Sequence, residues 1–320
     1  MAPTANNLKI VFGGGAFMVP DGWTEEKLTE LLDYLEKEGI DTIDSAEIYG
    51  ESESMIGKSK AAARGFYIDT KVSGGLVPTV RATKETVIKS GEESLRKLAA
   101  DQVDIYYIHA PDRQCPFKDT LEGIDELYKA GKFKRFGLSN FTAEEVEEVV
   151  RIAKENNFVV PSVYQGNYNA VGRLIETKLF PTLPGGFLTK TPEDITVHGK
   201  GRFDKSTGFS GQLYNSLYNT PVKLDFLAKF GKIASDDGIS QAELAHRWVT
   251  YNSYLDADKG DAIIVGARFG SQLTATLEWL KKGPLSQETV DKLDEIWKGV
   301  EGEAILDNFN DFISKAGGLS

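Results

Sequence analysis

The sequence predicts an α/β fold, a (β/α)8 barrel of the TIM type from which the seventh strand is missing. Three observations predict it. Short apolar, β-branched runs alternate with longer amphipathic stretches along 320 residues, the pattern of parallel strands joined by helical crossovers. The length suits a single barrel of roughly 250 residues or more, and the number of units favours a closed barrel over an open sheet. The strand candidates also end in polar, chemically capable side chains, at the rim where a parallel barrel gathers its active site.

The elements follow in order. A strand at 9–12 precedes a helix at 24–37, whose Leu28, Leu31, Leu32 and Leu35 fall on one face at helical spacing. Gly39 stands just past its end, where a C-cap belongs. A strand at 42–44, a helix at 54–63 and a strand at 67–71 come next. The helix at 84–98 leads to a strand at 104–109, and the helix at 121–130 to a strand at 135–139. Thr142 and Glu145 form the capping box of a helix at 143–156, which precedes a strand at 162–167. After a helix at 173–183 the alternation breaks, and 184–221 reads as an irregular loop segment. Helices at 222–235 and 242–251, a last strand at 262–266, and helices at 271–281 and 287–300 complete a single barrel domain spanning 1–320. That makes seven strands where a closed barrel has eight.

Apolar content of 41% and charged content of 27% are ordinary for a globular chain. The formal net charge of -11 argues against nucleic acid or an anionic membrane as the main partner. The single cysteine, Cys115, excludes an internal disulfide. The three histidines, His109, His198 and His246, are too widely spaced for a short-range metal motif. The first residues lack a basic segment and apolar run, and no stretch approaches roughly 20 apolar residues. The expected compartment is the cytoplasm, with no membrane partner.

The strand ends carry the chemistry. The second strand ends in Asp44, with Tyr49 five residues on; the third ends in Lys71, the fourth in His109. Each alone has a plainer reading: a lone lysine at a strand end snorkels to water, a lone aspartate caps a turn, a lone histidine is structural. Four strand ends converging on one mouth outweigh those readings together. The set suits carbonyl reduction. Hydride arriving at a carbonyl carbon leaves negative charge on oxygen, which needs a proton. A tyrosine ordinarily titrates near ~10, so Tyr49 is protonated and can donate. Lys71 beside it favours the tyrosinate that forms, Asp44 pairs with Lys71, and His109 hydrogen-bonds the carbonyl oxygen.

These residues sit in recognisable segments. Residues 41–50, Asp-Thr-Ile-Asp-Ser-Ala-Glu-Ile-Tyr-Gly, resemble the first motif of the aldo-keto reductases. Ile68-Asp69-Thr70-Lys71 resembles that superfamily's catalytic lysine strand, and 103–109 its histidine strand. Gly137-Leu138-Ser139-Asn140-Phe141 and 164–169 are similar to the segments that hold the nicotinamide amide. Ala110-Pro111-Asp112-Arg113 and Asn167-Tyr168-Asn169-Ala170 resemble the aflatoxin-aldehyde reductase branch and its fungal relatives. The resemblance implies NADPH as cofactor and aldehydes, ketoaldehydes or other dicarbonyls as small-molecule substrates. It implies Asp44, Tyr49, Lys71 and His109 as a catalytic tetrad, with Ser139, Asn140 and Gln165 on the nicotinamide. Gly266, Ala267, Arg268 and Gln272 match the positions that receive the adenosine 2′-phosphate, and a guanidinium suits that phosphate. Thr276 replaces the asparagine that commonly contacts adenine. A monomer or homodimer is expected.

The departure lies after the sixth strand. The superfamily's seventh strand carries an aromatic residue that stacks on the nicotinamide; here Phe180-Pro181-Thr182-Leu183 runs straight into Pro184-Gly185-Gly186. The gap is on the order of a dozen residues. Three explanations stand: an error in the gene model or transcript, which is favoured, an inactive product, or a rearrangement of 185–191 into a substitute strand. The corresponding alternatives to an active reductase are a cofactor-binding, catalytically impaired regulatory protein and a truncated non-functional product. Gly13-Gly14-Gly15 lacks the third spaced glycine of a dinucleotide fingerprint and reads as a turn near the substrate. Phe17 and Trp23 beside it are candidate substrate residues, with packing an equal reading; Arg202 and Tyr214 are weaker candidates from the later loop.

Overall fold

The strands of the computed structural model are β1 (Lys9–Gly13), β2 (Thr42–Asp44), β3 (Tyr67–Val72), β4 (Val103–Ile108), β5 (Phe133–Ser139), β6 (Val163–Gln165) and β7 (Ala262–Val265). The structure describes residues 6–18, 22–166, 168–174, 176, 187–199, 203–204, 206, 209–266 and 270–304. The seven strands pair in parallel in the order β6-β5-β4-β3-β2-β1-β7. Parallel strands need crossovers, and α1 (Glu25–Lys37), α2 (Ser52–Lys58), α3 (Lys84–Leu98), α4 (Phe117–Lys129) and α5 (Ala143–Asn156) supply them. Contacts divide the chain into two compact units. The sheet and these helices belong to the first, which holds 7–165 and 256–275.

Local sequence explains the helices. Thr24 caps α1 by accepting from Lys27 N, Glu25 and Glu26 occupy its first turn, and Lys37 its last. Its four periodic leucines are buried, and Gly39 follows at φ 71°. Burying four leucines is worth on the order of 6–12 kcal/mol before entropy. The expected Thr142–Glu145 capping box is present on α5.

The sheet curls. Gln165 on β6 donates through Nε2 to Asp44 Oδ1 on β2 at 2.9 Å. Four strand steps separate β6 from β2, about 19 Å in a flat sheet. A direct hydrogen bond therefore requires both side chains to point into a common interior. Among the described residues β6 and β7 are the two ends of the sheet. Among the described residues this barrel-type sheet is thus open between the sixth strand and the last, the stretch in which the sequence is expected to lack a seventh. Residues 177–186, on which that departure falls, lie outside the described residues.

Some boundaries differ from expectation. β4 ends at Ile108, although His109 N still donates to Val72 O at 2.9 Å. β6 is shorter than 162–167. α2 covers only Ser52–Lys58, and a 3-10 turn at Ala62–Arg64 takes up the rest.

The second unit holds 166–255 and 276–320, together with 4–6. The segment 184–221, expected to be irregular, contains a 3-10 turn (Phe187–Thr189), a π-helical turn (Asp194–His198) and α6 (Phe209–Tyr218). Phe209, Leu213, Tyr214, Leu217 and Tyr218 recur at helical spacing, but the glycines around them mask the period. Then come α7 (Pro221–Asp236), α8 (Gln241–Tyr251), α9 (Ser271–Lys281), which begins in the first unit, and α10 (Gln287–Lys298). Phe187, Phe226, Phe230, Leu244, Trp248 and Leu293 pack at the centre of the second unit. Among the described residues no helix is long and apolar enough to cross a membrane.

Candidate active site

Strand alternation sorts β3. Thr70 faces the helices and donates to Glu53 Oε1 at 2.6 Å, while Asp69 and Lys71 take the other face. Lys71 is fully buried. Its Nζ donates to Asp44 Oδ1 at 2.6 Å and to Ser45 O at 2.5 Å. It also lies 5.5 Å from the ring centre of Tyr49 and 5.4 Å from that of Tyr107. A carboxylate, a carbonyl and two aromatic rings replace the water this ammonium has lost.

Tyr49 and His109 meet edge to face, ring centres 5.6 Å apart at 75°. Burial and then the positive charge of Lys71 hold the His109 imidazole well below its ordinary titration range, so it is neutral at physiological pH. Its Nδ1 is buried with no hydrogen-bond partner among the described residues. Asp69 is pushed up to about 7, first by burial and then by the charges of Asp44 and Asp104. The structure thus brings Asp44, Tyr49, Lys71 and His109 together in the first unit.

The loops after β3 and β4 touch, which places His109 beside Lys71. Gly74 has φ 58°, and a Cβ there would come within 1.9 Å of Ala110 O. No other residue fits so close an approach.

Ser139 ends β5 and Asn140 follows it. Asn140 has φ 58°, a left-handed conformation that asparagine tolerates. Its Nδ2 donates to His109 O at 2.8 Å and to Ser139 Oγ at 3.1 Å. Both amides are oriented by their partners, because a carbonyl and a carboxylate only accept. Asn140 Oδ1 and Gln165 Oε1 therefore remain as acceptors, with the Ser139 hydroxyl between donor and acceptor roles. That set matches a carboxamide such as the one on nicotinamide.

The other expected residues belong to other elements or lie outside the described residues. Gly266 follows β7 and Gln272 lies in the first turn of α9. Ala267, Arg268 and Arg202 lie outside the described residues. Phe17 is buried between Phe12 and Trp23, at ring distances of 5.9 and 4.8 Å, and Trp23 Nε1 donates to Ala16 O at 3.2 Å. Those are packing contacts. Tyr214 stacks on Tyr218 within the second unit.

Two site features escaped sequence reasoning. Tyr107 pairs with Lys71 across β3 and β4, and its ring rests on Gly137 of β5, where a Cβ would come within 2.2 Å of it. Glu47, two residues before Tyr49, accepts from Ser73 and Ser90. A glycine inside an apolar strand was the one available signal for the first.

Known proteins resemble this chain over most of its length. The sequence model described as the Aldo/keto reductase family matches residues 9–298. The chain is 35% identical over 316 residues to oxidoreductase sirO of Leptosphaeria maculans, covering 92% of this chain and 95% of that one. It is 35% identical over 294 residues to an aldo-keto reductase of Pseudocercospora fijiensis, covering 85% and 97%. It is 32% identical over 294 residues to human aflatoxin B1 aldehyde reductase member 2, covering 84% and 81%.

Proposed function

The chain belongs to the aldo/keto reductase family of oxidoreductases acting on carbonyls, and from that premise we propose that it reduces aldehydes, ketoaldehydes or other dicarbonyls to alcohols with NADPH. Bound NADPH supplies the hydride. Ser139, Asn140 and Gln165 would hold its carboxamide, and Gly266, Ala267, Arg268 and Gln272 would receive its 2′-phosphate end. A relative named aflatoxin B1 aldehyde reductase supports an aldehyde class. The reading takes the chain as one barrel domain acting in the cytoplasm, as a monomer or homodimer.

The chain's own residues handle the proton. Tyr49 donates it to the carbonyl oxygen. Lys71 faces the phenol and favours the tyrosinate left behind, and Asp44 holds Lys71 in place. His109, being neutral, offers an N–H to the same oxygen and sets its direction without competing for Tyr49's proton. The observation that carries this reading is the buried Lys71 ammonium, held by Asp44 and lying against the Tyr49 ring.

The test is NADPH oxidation with an aromatic dicarbonyl. Tyr49→Phe is expected to lose roughly 10²–10⁴-fold. Equal rates in wild type and variant overturn the reading. That no strand joins β6 to β7 among the described residues favours one alternative, a cofactor-binding protein of impaired turnover. NADPH binding without turnover identifies it.

A further inference from the structure

Glu47 stands two residues before Tyr49, and Ser73 two residues after Lys71. One carboxylate oxygen joins them. Glu47 Oε2 accepts from Ser73 N at 3.0 Å, from Ser73 Oγ at 2.8 Å and from Ser90 Oγ on α3 at 2.9 Å. Both serines are buried, which shields the donors of these bonds from bulk water. The main chain makes the same junction: Ser45 N donates to Asp69 O at 2.8 Å and Glu47 N to Lys71 O at 3.0 Å. The β2–β3 ladder thus continues past Asp44 to Glu47, where the carboxylate locks it. Tyr49 follows at once, with its N donating to Ala46 O at 2.9 Å.

A surface loop needs no such fastening, and three donors on one oxygen of a partly buried carboxylate are more than a turn requires. The bonds span the two segments that bear the phenol and the ammonium. We propose that Glu47 is a positioning residue that fixes the distance between the Tyr49 phenol and the Lys71 ammonium during carbonyl reduction. The proposal rests on the reductase reading above. Misplacement of a reacting group by about 1 Å costs on the order of a hundredfold, which sets the scale of the effect.

Glu47→Gln and Glu47→Ala test it, with Tyr49→Phe as reference, in the full-length protein with NADPH and an aromatic dicarbonyl. Gln and Ala remove the same charge, so the difference between them reads the clamp alone. Gln keeps an acceptor oxygen for Ser73 and Ser90; Ala keeps none. Glu47→Ala is expected to have a kcat about ten- to a hundredfold below Glu47→Gln, at an equal KM for NADPH. The alkaline limb of its kcat/KM profile is expected at higher pH than in Glu47→Gln, because a phenol withdrawn from the ammonium loses its proton less readily. Where Glu47→Ala does not fold, the Ser73→Ala, Ser90→Ala double variant takes its place against wild type, with a smaller kcat loss of the same kind. Equal kcat and equal limbs in the compared pair overturn the proposal while an idle Tyr49→Phe leaves the reductase reading standing. A Tyr49→Phe as active as wild type ends both.

Discussion

Removing the carboxylate of Asp44 strands a charge that has no route to water. Lys71 is fully buried and the Asp44 side chain is 6% exposed, with 2.6 Å between Nζ and Oδ1. At that distance and an effective dielectric of about 20 the attraction is about 6 kcal/mol. Part of it offsets the desolvation of both ions, and deleting one partner of such a pair costs about 3–5 kcal/mol net. Asparagine still accepts from Lys71 and from Gln165, so Asp44→Asn belongs at the lower end and Asp44→Ala at the upper. In a chain of this size 1 kcal/mol moves Tm by about 2 °C, which predicts losses of about 6 °C and 10 °C. Circular dichroism melting at pH 7 measures both. An Asp44→Ala protein melting within about 2 °C of wild type refutes the claim that this carboxylate holds the ammonium.

Three further outcomes follow from the same cluster. Asp69 is raised to about 7 in the folded chain and titrates near ~3.9 unfolded, so its contribution is intact below pH 4 and is lost as pH rises through 7. Asp69→Asn is therefore expected to leave the melt unchanged at pH 4 and to stabilise by about 3–4 kcal/mol above pH 7; equal melts at pH 8 contradict it. His109 is held well below its ordinary range, so as pH falls through about 6.5 the unfolded chain takes up a proton that the folded imidazole refuses. Stability then declines by up to about 1.4 kcal/mol per pH unit, and His109→Gln should flatten that slope in denaturant titrations between pH 7 and pH 5. Gly137→Ala drives a Cβ to 2.2 Å from the Tyr107 ring and is expected to cost about 1–3 kcal/mol in urea unfolding. Adding Tyr107→Leu should recover most of that loss; no recovery means the ring is not what fills the space.

Much of the site was legible because a parallel barrel turns strand endings into neighbours. Asp44, Lys71 and His109 each stand at the close of a strand expected from the sequence, and the fold alone puts such endings at one rim. The capping box at Thr142 and the leucine face of α1 were equally readable, being local patterns of spacing. What stayed hidden depends on contacts between strands. Tyr107 reads as one more aromatic in a buried strand until register sets it against Lys71 and Gly137 makes room for its ring. Glu47 reads as a solvated loop residue, because its partners Ser73 and Ser90 lie 26 and 43 positions away. The helix at Phe209–Tyr218 was missed because its glycine-rich surroundings outweighed its period.

Deuterium transfer tests the whole arrangement most directly. NADPH deuterated at the reactive nicotinamide carbon is mixed with an aromatic dicarbonyl and the wild-type chain, Tyr49→Phe or Lys71→Met, and the alcohol is analysed by mass spectrometry. The phenol–ammonium pair predicts label on the carbinol carbon with wild type and a loss of at least about a hundredfold in its rate of appearance with either variant. Label arriving equally fast in all three proteins, or not at all in a wild type that binds NADPH, contradicts it.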